Sequence, residues 1–260
     1  MTRFLWLAQN LSSIALFVVI IVGWWLLVTL FPIPEYILPS PGAVITALFG
    51  NEIPWVTHAL VTMAEIIGGF LIAAVVGVFL GTVIAWSPLL ERALIPFLVF
   101  INTLPKVAIA PLFLLWFGYG IIPNTMIAAL IGFFPVVINT AVGLSQTSQD
   151  MIDLGRIFGA TNWRMFRKIR IPEALPYILS ALKVSASTCV IGAIVAEFIA
   201  SQRGLGYVII NAQTTLNTPT AFAALLWISV IGLLAYGAIS ALGRWLAPWA
   251  EGDRSAGTTL

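Results

Sequence analysis

Apolar residues run along the chain in six long stretches, at roughly 11–31, 58–86, 93–117, 121–142, 177–200 and 222–246. A bilayer helix needs about 20 predominantly apolar residues, and each stretch meets that length. The polar connections between them are short except for two. Segment 32–57 is rich in Pro and Gly and contains Leu38-Pro39-Ser40-Pro41-Gly42, and segment 143–176 holds five of the twelve basic residues. The first stretch follows a single basic residue, Arg3, but runs to Phe31 and Pro32-Ile33-Pro34 without a small-x-small cleavage pattern, so it reads as a retained span. The expectation is an all-α membrane protein with six transmembrane helices. Its parts are an N-terminal end and first helix (1–31), an external segment (32–57), a core (58–247) with an internal loop (143–176), and a tail (248–260).

Composition agrees, with 60% hydrophobic and only 8% charged residues in 260, and a mean hydropathy of +1.05. A soluble domain carries roughly 25% charged residues. Lys and Arg near span ends favour the cytoplasmic side. With both termini inside, ten basic residues fall there: Arg3, Arg92, Arg156, Arg164, Arg167, Lys168, Arg170, Lys183, Arg244 and Arg254. Only Arg203 falls outside, and Lys106 lies within the third stretch. A net charge of +2 gives nucleic-acid binding no support. One cysteine, Cys189, and one histidine, His58, exclude an internal disulfide and a His- or Cys-based metal cluster.

Two stretches carry unusual residues. The second has Gly68, Gly69, Gly77 and Gly81 on neighbouring turns, which suits close helix packing in lipid or a flexing point. The third contains Asn102-Thr103-Leu104-Pro105-Lys106-Val107-Ala108-Ile109-Ala110-Pro111. Each proline removes a helix hydrogen bond, and a lysine at the bilayer centre costs roughly 2.5–3.5 kcal/mol on insertion scales. Two readings stand: a re-entrant turn with Lys106 reaching to phosphates, or a cavity wall or gate formed by Asn102, Pro105, Lys106 and Pro111. Glu197, near the end of the fifth stretch, belongs to the same pathway candidates, with Arg203 as a loosely spaced ion-pair partner. Glu65, Asn102 and Asn139 suit interhelical hydrogen bonds or path lining.

The internal loop predicts two short helices. One runs from about Asp150 to Phe158 and ends at Gly159. The other is capped by Thr161 or Asn162 and runs to about Ile169, before Pro172 stops it. Met151, Ile152, Leu154, Ile157, Phe158, Trp163, Met165, Phe166 and Ile169 are more apolar than a solvated loop requires, and arginines rim them. On spacing alone this is a docking surface or a loop folded onto its own membrane face.

The spacing Gly159-x9-Ile169-x-Ile171-Pro172 resembles the cytoplasmic loop of ABC-importer permeases, written E-A-A-x3-G-x9-I-x-L-P. Here Asp153-Leu154-Gly155 stands in place of Glu-Ala-Ala, and Ile171 in place of Leu. Leu38-Pro39-Ser40-Pro41, Leu104-Pro105-Lys106-Val107-Ala108, Trp116-Phe117-Gly118, and Ala196-Glu197 followed by Arg203-Gly204-Leu205-Gly206 resemble the nitrate/sulfonate/taurine-type subgroup. That subgroup also includes permeases for thiamine-precursor pyrimidines.

The resemblance implies a type I importer permease fold, five core helices plus an N-terminal one, in a bacterial inner membrane. It implies a pair of permeases, as a homodimer, and two copies of a cytoplasmic ABC ATPase. One ATPase docks on each loop, through Asp153, Leu154, Gly155, Gly159, Ala160, Trp163, Arg164, Phe166, Arg167, Ile169, Ile171 and Pro172. It further implies a periplasmic or lipid-anchored substrate-binding protein that delivers a small solute of the sulfonate, nitrate, taurine or thiamine-precursor kind. The three lysines, Lys106, Lys168 and Lys183, are preceded by Pro105, Arg167 and Leu182, so the chain has no Gly-Lys-Ser/Thr phosphate loop. ATP and Mg are then expected on the partner ATPase, and this chain itself is expected to be non-catalytic. The competing readings are an autonomous secondary transporter or channel, against which stands the absence of a detectable inverted repeat, and an intramembrane enzyme, for which no Ser/His, paired Asp or HExxH arrangement is present.

Overall fold

The structure, a computed structural model, describes residues 2–50 and 52–250. The remainder of the expected tail, with Arg254, lies outside the described residues, as does the side chain of Arg3. The described residues are helical and include no strand. In chain order the helices are α1 (Thr2–Leu30), α2 (Pro41–Phe49), α3 (Trp55–Trp86), α4 (Pro88–Thr103), α5 (Lys106–Phe117), α6 (Ile121–Ser145), α7 (Gln149–Ile157), α8 (Asn162–Met165), α9 (Ile171–Ala200), α10 (Leu205–Thr214) and α11 (Thr218–Leu246). A π-helical turn, Phe166–Arg170, joins α8 to α9.

Helices α3, α6 and α11, and the continuous run 162–199, are each long and apolar enough to cross a membrane. The third apolar stretch departs from a single span. It is two helices, α4 and α5, meeting at 89° across Leu104-Pro105. Pro105 carries no N–H, and the Leu104 backbone is extended, so the ladder ends there. Pro111 lies inside α5, which remains one helix. The apolar part of α1, Ile14–Leu30, is shorter and almost wholly exposed within the chain. It is tied down by Trp24, which stacks obliquely on Phe222 at 5.8 Å and donates to the Pro39 carbonyl at 3.1 Å.

Two helices are absent from the expected set. Helix α2 begins with Ser40 capping the Ala43 N–H and Pro41 in the first turn, a start signal legible in the sequence. Helix α10 follows Gly204 and has no comparable cue. Pro172, expected as a stop, ends nothing. It sits in the first turn of α9, where its missing N–H is tolerated, and the preceding π turn carries the ladder through Ile171 N–H to the Phe166 carbonyl.

Helix α6 is the most enclosed span, packed between α3 and α9. Apolar side chains gain nothing by leaving lipid for one another, so close backbone approach supplies the contact. A Cβ placed at Gly69 would lie 2.7 Å from Ala128 Cβ, and one at Gly77 would lie 2.8 Å from Val136 Cβ. The glycine spacing of the second stretch is thus a packing face against α6. Gly132 does the same towards α9, where Cys189 and Ser185 occupy the space; Cys189 is wholly buried.

Candidate functional site

Two groups of polar and apolar residues stand out, at opposite ends of the bundle. The first is the loop between α6 and α9. The Ser148 hydroxyl caps α7 by accepting from Met151 N–H at 3.3 Å. The helix ends at Gly159, whose φ of +68° suits glycine. There Gly159 N–H donates to the Arg156 carbonyl and Ala160 N–H to the Gly155 carbonyl, both at 2.9 Å, which closes a Schellman motif. The Thr161 hydroxyl then caps α8 through Arg164 N–H at 3.4 Å.

The apolar residues of the loop divide between two faces. Ile152, Met165 and Phe166 are buried, with Phe166 edge-on to Trp86 of α3 at 5.0 Å and stacked by Trp163 at 5.8 Å. This face fixes the loop to the core. The other face is open: Ile157 is 80% exposed, Phe158 79% and Trp163 61%, with Met151 and Leu154 also exposed. Arg164, Arg167 and Lys168 are exposed beside them. Asp153, at the position of the usual glutamate, pairs with Arg156 of its own helix at 3.0 Å, the only ion pair among the described residues. Ile169 reaches back over α7 with its Cδ1 close to Gly155, and Ile171 and Pro172 begin α9. A cleft of about 240 Å³ runs between Trp86, Ile152, Met165 and Phe166 and is also lined by Arg156, Asn162 and Arg170.

Gly155 replaces an alanine of the family pattern, and the structure leaves room for the alanine. A Cβ there would meet only Ile169 Cδ1 and Met165 Cγ and Sδ, at 3.4 Å. Alanine is favoured over glycine in a helix interior by about 0.8–1 kcal/mol. Gly155→Ala is therefore expected to raise the thermal stability of the purified protein slightly. A fall in melting temperature would show that α7 needs closer contact with Met165.

The second group lies at the other end, where α10 begins. Three successive N–H groups at its start are received by three side chains. Gly204 N–H donates to His58 Nδ1 at 3.1 Å, Leu205 N–H to Thr62 Oγ1 at 2.8 Å and Gly206 N–H to Glu197 Oε2 at 2.5 Å. The Thr62 hydroxyl in turn donates to Glu197 Oε1 at 2.6 Å. A carboxylate at a helix N-terminus satisfies both the unpaired donors and the dipole. Gly204, at φ +106°, leaves the space that the Glu197 carboxyl occupies. Glu197 therefore pairs with backbone and Thr62, and not with Arg203 as its spacing suggested. Glu65 accepts from Asn124 Nδ2 of α6 at 2.8 Å, an interhelical bond of the expected kind. Asn139, in contrast, donates to Pro135 within its own helix.

The remaining pathway candidates form a third place. At the α4–α5 break Lys106 Nζ donates to Asn102 Oδ1 at 2.6 Å and lies 4.9 Å from the centre of the Phe134 ring. Asn102, Pro105 and Lys106 are brought together there. Pro111 lies further along α5, and Glu197 is not among them. The sequence offered no cue to His58 and Thr62 as partners of α10, apart from their i,i+4 spacing.

The model for "Binding-protein-dependent transport system inner membrane component" matches residues 73–251. The chain is 34% identical to the formylaminopyrimidine transport permease protein ThiX of Halalkalibacterium halodurans, over 93% of this chain and 96% of that one. It is 35% identical to the riboflavin transport system permease protein RibX of Chloroflexus aurantiacus, over 95% and 92%. It is also 30% identical to the putative aliphatic sulfonates transport permease protein SsuC of Bacillus subtilis, over 89% and 84%. Among solved structures, a chain of the MetNI methionine ABC transporter in an inward-facing form shares the fold, with a TM-score of 0.60 at 20% identity, over 72% of this chain and 93% of that one. The helical core, the loop motif and the matching relatives agree, and the chain belongs to the family of binding-protein-dependent transport system inner membrane components.

Proposed function

We propose that the chain is the permease subunit of an ABC importer and that residues 148–172 are the surface on which a cytoplasmic ATPase docks. The observation that carries this reading is the open face of the loop. Ile157, Phe158 and Trp163 are held exposed by two capped helices whose inner face is fixed to the bundle, with Arg164 and Arg167 beside them. An exposed apolar patch with a basic rim has the make-up of a protein interface. The working assembly is a pair of these chains in the bacterial inner membrane, both termini cytoplasmic, with two ATPases that hold ATP and Mg and an external binding protein that delivers the solute. The α4–α5 break, with Asn102, Pro105 and Lys106, together with Pro111, lines or gates the path, and Glu197, buried as the cap of α10, stands apart from it.

The solute is small. The relatives named above carry a formylaminopyrimidine, riboflavin or aliphatic sulfonates on permeases of similar length, so this scaffold serves both neutral and anionic cargo. Selection then rests largely with the binding protein. The test is a mild-detergent pull-down of the tagged chain with its native partners. Recovery of an ATPase carrying a Gly-Lys-Ser/Thr phosphate loop, lost on charge reversal at Arg164 and Arg167, is the expected result. Transport by the reconstituted chain alone, driven by an ion gradient and indifferent to ATP, would overturn it.

A further inference from the structure

The group at the start of α10 contains an imbalance that the hydrogen bonds described so far do not resolve. Glu65 and Glu197 are each 1% exposed and their carboxyls are neighbours. Neither has a cationic partner; Arg203 lies towards His58 and pairs with neither carboxyl. The two acids differ in what reaches them. Both oxygens of Glu197 accept strong donors, from Thr62 and from Gly206 at the positive end of α10. Glu65 receives one donor, Asn124 Nδ2 on Oε1, while its Oε2 is buried with no donor at all. The Asn124 Oδ1 beside it is likewise a buried acceptor without a donor. Two adjacent buried carboxylates, one of them with an oxygen that no donor reaches, amount to uncompensated charge in a low-dielectric interior, which proteins avoid. A single hydrogen on Glu65 Oε2 removes one charge and turns a lone acceptor into a donor.

We infer that Glu65 and Glu197 form a one-proton site linking α3, α6, α9 and α10, in which Glu65 Oε2 carries the proton as a neutral acid and Glu197 remains the anionic cap of α10. The ligand is a proton rather than a metal cation because the geometry leaves too few free oxygens. Glu197 Oε1 and Oε2, Glu65 Oε1 and Thr62 Oγ1 are already engaged, whereas a hard cation takes about six oxygen ligands. His58 is the other titratable group facing the cluster, and its Nδ1 is occupied by Gly204 N–H. The inference is independent of the docking assignment and of the solute.

Infrared spectroscopy of the purified complex at pH 8 tests it, because exposed carboxyls are ionised there. A protonated-carboxyl C=O band, shifted by D2O, is expected in the wild type. It should be absent in Glu65→Gln and present in Glu35→Gln. Glu65→Gln should keep its thermal stability, since its amide supplies the missing donor, whereas Glu65→Ala should lose it. Where the glutamine variant does not fold, Glu65→Asp assigns the band by shifting it. Absence of the band in the wild type, its survival in Glu65→Gln, or stabilisation by sodium ions in place of the band would each overturn the proposal.

Discussion

Substituting Ala for Gly192 should destabilise the permease by about 2–3 kcal/mol, the upper part of the range for overpacking a well-filled core. The added Cβ would lie 2.7 Å from Ala128 Cα and 3.3 Å from Ala128 N and the Ile127 carbonyl, all backbone atoms of α6. No rotamer change can relieve that contact; α6 or α9 must move. Gly69 presses on Ala128 from the opposite side, where a Cβ would meet Ala128 Cβ at 2.7 Å and Ala129 N at 3.0 Å. The two helices therefore pinch one residue of α6, and Gly69→Ala should show a comparable loss. Gly237→Ala has nothing within 4 Å and Gly232→Ala only Val190 Cγ2 at 3.8 Å, so both should be neutral to mildly stabilising. Thermal unfolding in one detergent compares the four. Equal melting temperatures for Gly192→Ala and Gly237→Ala would show that the α6 packing yields freely.

Truncating the open face of the loop should break the complex without disturbing the permease. Ile157→Ala and Phe158→Ala remove side chains that are about four-fifths exposed, so the isolated chain should keep its stability. At an interface, apolar anchors of this kind contribute about 2 kcal/mol or more each, or about 30-fold in affinity. Titration of the purified ATPase onto permease in nanodiscs should show a loss of that order for each variant. Phe166→Ala should lose stability as well as affinity, because Phe166 is buried against Trp86. Undiminished binding in both exposed variants would place the ATPase elsewhere.

The spans and the loop were legible because each leaves a local mark. Hydropathy over a full bilayer width shows α3, α6 and α11. The loop's caps, Gly159 and Thr161, are residue types chosen by backbone geometry. What the residues did not disclose depends on three-dimensional context. Pro172 reads as a stop in isolation, yet the π turn ahead of it keeps the helix running. Glu197 and Arg203 are close in sequence, but the nearer donors come from Thr62, 135 residues away, and from the α10 backbone. The three prolines of the third stretch, Pro96, Pro105 and Pro111, look equivalent. Only Pro105 breaks the helix, because Leu104 before it is extended, whereas Pro96 and Pro111 are carried within α4 and α5. Helix α2 was within reach, since Ser40-Pro41 is a cap followed by a first-turn proline.

The π turn also decides which parts of the molecule share one helix. Residues 162–199 form one continuous helical run, about 57 Å along its backbone at 1.5 Å per residue. One end carries Trp163 and the other the Glu197 carboxyl that grips α10. Because no non-helical residue separates α8 from α9, the second loop helix is the first turn of a run long enough to cross the membrane. The exposed Trp163 and the Glu197 of the Thr62–Glu197–Gly206 clasp are therefore carried on the same helical run.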